Sequence, residues 1–221
     1  MTREQYAHQL IDLRSSVVAM ASMVGKAVDI AVVALAQRDV ALAQQVIADD
    51  RAINEHRWQT EEQALLLIAT QAPMARDLRT IAAAIHIVTD LERMADHAAG
   101  IAKITLQTAD QPPLKPLIDI PRMSEIARAM LHDAITAYIE DDQAAARAIV
   151  AQDDVVDALY EQIYRELLTF MLADPTTIDQ ATHLLWAAHN LERIADRVTN
   201  ICERVVFAVT GRLEELAVST Y

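Results

Sequence analysis

Residues 90–96 read Asp-Leu-Glu-Arg-Met-Ala-Asp and residues 190–196 read Asn-Leu-Glu-Arg-Ile-Ala-Asp. One seven-residue pattern thus recurs one hundred positions later, and the match continues outward on both sides. Ile85 and His86 correspond to Leu185 and Trp186, and Ile101 corresponds to Ile201. Upstream, Asp50-Arg-Ala-Ile-Asn54 resembles Asp153-Asp-Val-Val-Asp157 at an offset of 103, so the copies differ by small loop changes. Such a chain reads as two copies of one structural unit.

Each copy is helical. Proline occurs only at 73, 112, 113, 116, 121 and 175, and glycine only three times. Interior proline removes a backbone donor and clashes with the preceding turn, so the proline-free stretches outline helices. The reading predicts helices over about 2–37, 40–70, 74–108, 122–140, 142–172 and 176–217, with Pro73 and Pro175 in first turns, where proline is tolerated. In the third, Leu78, Ile81, Ile85 and Val88 recur at three- and four-residue steps, while Ile87, Leu91, Met94, Ala98 and Ile101 form a second apolar sector. A helix apolar on two sides packs against more than one neighbour. The expected fold is all-α: two tandem pseudo-symmetric three-helix bundles made of six long helices. Their bounds are 1–109 and 122–221, with a proline-rich linker over 110–121.

Composition agrees and excludes several functions. The chain is 53% hydrophobic but only 4% aromatic, and its net charge is −13. That field repels phosphate backbones and anionic lipids, so neither direct nucleic-acid binding nor membrane insertion is expected. Cys202 is the sole cysteine, which rules out an intramolecular disulfide or a cysteine-rich zinc site. The N-terminus lacks an apolar signal core and no run reaches roughly 18 uncharged apolar residues, so the expected location is cytoplasmic.

The repeated motif places carboxylates on an apolar face. At 100° per residue, Glu92 and Asp96 continue the stripe of Ile81, Ile85 and Val88, and Glu192 and Asp196 do the same on the last helix. Carboxylates partly buried there are costly unless paired, protonated or bound to a cation. On the preceding helices, Asp50 with Asn54, and Asp153 with Asp157, are spaced four apart and taken as mid-helix, so each pair can face the motif across a seam. Oxygen-only ligation of this kind suits magnesium, calcium, manganese or clustered iron. The simpler reading is helical pairing of Arg93 with Asp96 and of Arg193 with Asp196, or helix capping by Asp50 and Asp153. Nothing proposes catalysis: there is no Glu-x-x-His of the di-iron bundles, no Gly-rich phosphate loop and no HExxH.

The paired Leu-Glu-Arg-x-Ala-Asp segments, with Pro73–Arg79 before the first and Asn190–Ile201 containing the second, resemble the PhoU family over nearly the whole chain. The resemblance implies a non-enzymatic negative regulator of phosphate uptake and of phosphate-starvation transcription. It would link the ATPase of a phosphate ABC transporter to a sensor histidine kinase, often as a homodimer. It also implies acidic sites for divalent or ferric ions (Mg, Mn, Zn or Fe), carried here by Asp50, Asn54, Glu92 and Asp96, and by Asp153, Asp157, Glu192 and Asp196. Asn54 and Lys103 stand where the second copy has Asp157 and Glu203, which makes the first site less anionic. The alternative is a metal-free helical adaptor whose motifs are salt-bridged packing elements. A metal-dependent hydrolase or oxidase ranks third, because a base and a nucleophile are missing.

Overall fold

The computed structural model describes residues 3–216. Its helices are α1 (Arg3–Gln37), α2 (Val40–Gln71), α3 (Arg76–Thr108), α4 (Asp119–Glu140), α5 (Gln143–Val150), α6 (Asp153–Ala173) and α7 (Ile178–Thr210). No strand occurs among the described residues. The first unit packs α1, α2 and α3; the second packs α4, the α5–α6 pair and α7.

The repeat extends to backbone geometry. Arg38 (φ 56°) and Asp141 (φ 55°) both take the left-handed conformation after the first helix of a unit. The next residue then caps the following helix: Asp39 accepts from the Ala41 and Leu42 amides, and Asp142 from those of Ala144 and Ala145. A short acidic side chain at this position satisfies amides that a helix start leaves unpaired, and complements the helix dipole. The first unit is further tied to the second by Arg14 of α1, whose guanidinium meets Asp141 at 2.8 Å and the Ile139 carbonyl at 3.1 Å, at the end of α4.

Several expectations need correction. The stretch 142–172 is two helices, because the chain turns at Ala151–Gln152 with the Gln152 amide bonded to the Ile149 carbonyl at 2.9 Å. Asp153 therefore lies in the first turn of α6 rather than mid-helix, whereas Asp50 is mid-helix in an unbroken α2. The acidic pair Asp153–Asp154 favours a helix N-terminus, and the second unit uses it as one. Pro73 sits in the α2–α3 connection, between left-handed Ala72 and Ala75, not in a first turn. Pro175 opens a single 3-10 turn, Pro175–Thr177, ahead of α7. Pro121 falls inside the first turn of α4, which shortens the linker. The last helix stops at Thr210 because Gly211 (φ +78°) ends it; residue 2, expected to begin the first helix, and residue 217, expected to end the last, lie outside the described residues.

The core runs through both units without a break. α1 is long and apolar enough by composition to cross a membrane, but Leu13, Val17, Met20, Val24 and Ala31 on it are fully buried in the bundle. α3 and α7 cross antiparallel at the centre, with Arg79 near the start of α3 donating to the Ala208 carbonyl near the end of α7 at 3.3 Å. The second apolar sector of α3 (Ile87, Leu91, Met94, Ala98, Ile101) is wholly buried, as are Ile81 and Val88; Leu78 is exposed and Ile85 half-buried.

Candidate functional site

The two copies of the motif face two seams, α2–α3 and α6–α7, and the seams are not chemically equal. In the second, Asp153 and Glu192 are 9% and 8% exposed, with Asp157 and Asp196 half-buried beside them. Asp153 Oδ1 and Glu192 Oε2 are buried without a hydrogen-bond partner. Such orphaned oxygens carry the full desolvation cost that water no longer offsets. Burial pushes the Asp153 carboxyl up to about 7, reinforced by Asp157, Asp196, Asp154 and Glu192. Asp157 and Glu192 are also raised, in each case by burial first and then by Asp196.

An arginine and a histidine stand at the rim. Arg193 Nη1 pairs with Asp196 at 2.7 Å, the helical pairing expected from sequence; among the described residues Arg93 makes no such pair with Asp96. His189 Nδ1 approaches Glu192 Oε2 to 2.9 Å, but without hydrogen-bond geometry, and its side chain is 52% exposed. Among the described residues, the seam floor is a group of carboxylates with no lysine or arginine between them.

In the first seam Arg57 of α2, missed in the sequence reading, reaches across to Glu92 of α3 at 3.2 Å and is itself held by Glu61 at 2.9 Å. Asp50 Oδ2 accepts from Asn54 at 3.1 Å, while Asp50 Oδ1 is buried without a partner. Burial and then Asp96 raise the Asp50 carboxyl; Lys103 and Asn54 oppose them. Asp96 is exposed at the open lip of the seam, whereas Asp196 at the equivalent motif position is half-buried. At the offset of 103 that aligns Asp50 with Asp153, Arg57 aligns with Tyr160. The Tyr160 ring lies 6.0 Å from that of His189. Where the first unit has a guanidinium the second has an aromatic ring, so Glu92 has an arginine across its seam and Glu192 does not. The signal was present in the sequence at one aligned position.

Among the described residues no group of three or more His, Cys, Asp or Glu side chains is close enough, as it stands, to hold a metal ion. Carboxylates without a counter-ion repel and stand apart. In the second seam the donor chemistry fits a hard ion, since four carboxylates line it and two of their oxygens are orphaned. In the first, Arg57 already fills the role of the cation.

Comparison with known proteins matches the two units separately. The PhoU domain matches residues 17–105 and again 120–205. The phosphate-specific transport system accessory protein PhoU homolog of Caulobacter vibrioides is 40% identical over 216 residues, covering 97% of this chain and 93% of that one. The homolog of Aquifex aeolicus is 40% identical over 185 residues, 84% of each chain. The crystal structure of PhoU from Pseudomonas aeruginosa superposes with a TM-score of 0.89 at 33% identity, covering 94% of this chain and 100% of that one. The regulatory protein PhoU from Streptococcus pneumoniae gives 0.88 at 31%, with 95% and 99% covered.

Proposed function

The chain belongs to the PhoU family, and from that premise we propose that it is a non-enzymatic regulator serving a phosphate-specific transport system. Support for the transport role comes from relatives of near-equal length that carry that description. Within it, the chain acts in the cytoplasm as a homodimer. It links the ATPase of a phosphate ABC transporter to a sensor histidine kinase, and keeps phosphate-starvation genes off while phosphate is plentiful.

The second seam holds a divalent or ferric cation through Asp153, Asp157, Glu192 and Asp196. The observation that carries this is the pair of buried, unpartnered oxygens on Asp153 and Glu192, on facing helices. When bound, the ion supplies the positive charge that lets four carboxylates share one seam. The residues themselves do the rest: Arg193 orients Asp196, and α6 and α7 are drawn together where Asp153 opens one helix. The first seam (Asp50, Asn54, Glu92, Asp96) takes such an ion only weakly, since Arg57 already neutralises Glu92. The first seam favours the second reading, a metal-free adaptor, for its own unit.

Cells lacking the chain should express phosphate-starvation genes in phosphate-rich medium, and the wild-type chain should restore repression. Unchanged expression on deletion would remove the regulatory role. Protein purified without chelator and containing no metal would remove the ion and leave that role standing.

A further inference from the structure

Beyond α7 the chain turns back on itself. Gly211 ends the helix, its amide bonded to the Phe207 carbonyl at 2.8 Å. Glu214 then pairs with Arg147 of α5 at 2.7 Å, and the Leu216 amide donates to Glu203 Oε1 of α7 at 3.0 Å. The Leu216 side chain packs against the core. Burial alternates along this segment: Leu213 and Glu215 are exposed, Glu214 and Leu216 half-buried. That is the pattern of an extended peptide read at every second side chain and by its backbone, the way a docked segment is recognised.

The segment spans a cleft of about 510 Å³ without filling it. Arg193, Arg197 and Arg204 line the opposite wall together with Asp196 and Glu203, and Arg147 stands at the side. Asp90 lies against Arg197 at 3.6 Å, and Arg197 Nε is buried without a partner. Arg193, Arg197 and Arg204 each lie against a carboxylate of the bundle, whereas Arg147 has its carboxylate from the tail. Departure of Glu214 would leave Arg147 without that partner, so a segment replacing the tail must bring an acidic side chain to the same place. Among the described residues, the anchors beyond the Arg212 amide bond to Thr210 are one part-exposed ion pair, one backbone bond and one leucine. Segments held so lightly open first.

We infer that residues 211–216 are a tethered ligand seated in a peptide-docking cleft. The partner that cleft fits is an extended acidic segment bearing Glu-x-Leu, which displaces the tail on binding. The inference needs no cation in the second seam. Tethering gives the tail a high local concentration, so a free copy of the same sequence competes poorly until the tail is released.

The test uses the full chain and a fluorescein-labelled peptide, Arg-Leu-Glu-Glu-Leu, with fluorescence anisotropy as the readout. The double variant Glu214→Lys, Leu216→Asp should bind the peptide at least about tenfold more tightly than wild type. Adding Arg147→Glu should remove that binding. Equal binding by wild type and the double variant, or binding that survives Arg147→Glu, overturns the inference. Arg147→Glu alone should speed hydrogen exchange at the Leu216 amide by releasing the tail, and an unchanged rate also overturns the inference.

Discussion

Asp90 of α3 and Asn190 of α7 are equivalent residues of the two repeats, and each reaches across the central interface to the equivalent partners in the other. Asp90 Oδ1 accepts from Asn200 at 3.3 Å and meets Arg197 at 3.6 Å. Asn190 Oδ1 lies 2.9 Å from His97 Nδ1, and a methyl placed on Gly100 would stand 3.1 Å from that same oxygen. Position 97 of one copy thus does for Asn190 what position 197 of the other does for Asp90, while Gly100 leaves room for Asn190 where Asn200 bonds Asp90. Since Asn190 Nδ2 donates to the Trp186 carbonyl at 2.8 Å, its Oδ1 is the acceptor and His97 carries its proton on Nδ1. Burial, first among the causes, lowers the His97 pKa.

Asp90→Ala leaves Arg197 without its carboxylate at a site where the Asp side chain is only 14% exposed, so it should cost about 3 kcal/mol. Asn190→Ala removes neutral hydrogen bonds and should cost about 1 kcal/mol. Urea titration of both variants checks the order; an equal loss would show that the charge at position 90 contributes nothing extra.

With cations chelated, stability should fall as pH rises from about 4 to about 7. The Asp153 carboxyl is raised from 3.8 to about 7, so the folded chain holds a proton that the unfolded chain has released across that window. A raised acid contributes stability fully below its unfolded pKa and loses it through the folded one, here about 4 kcal/mol before solvent screening reduces it. Asp153→Asn should flatten the slope measured by melting at successive pH values.

Added manganese or magnesium should raise the melting temperature of wild type, and more so near pH 8 than near pH 5, because protons compete for the same oxygens. At a hundredfold excess over Kd the stabilisation is about 2.7 kcal/mol. Asp153→Asn with Glu192→Gln should abolish the shift, and Glu92→Gln should leave it intact. A shift that survives the first pair would place the ion elsewhere.

Arg57→Ala should cost about 1–2 kcal/mol by leaving Glu92 and Glu61 unpaired in a partly buried seam. It should also make the first seam cation-dependent, adding a second increment to the manganese response in calorimetry. The same response as wild type would show that Arg57 is not what keeps that seam closed to ions.

The exposed Asp96 and the buried Glu192 show where reading the chain residue by residue stops. Both sit on the motif face by helical arithmetic, yet only the packing of α6 over α7 seals one while the mouth of α2–α3 leaves the other open. Similarly, the break at Ala151–Gln152 has no proline or glycine to announce it, and it moves Asp153 from mid-helix to a helix start.

The helical class and its duplication were determined by local pattern alone: proline positions, apolar periodicity and one repeated motif act within a few turns of backbone, whatever surrounds them. Which carboxylates face a cation, and which face nothing, was decided by tertiary structure. That outcome depends on Arg57 meeting Glu92, thirty-five residues along the chain, and on Tyr160 standing where its counterpart would be. Charge compensation is a matter of distance in space, and neighbours across a seam are set only when the helices pack.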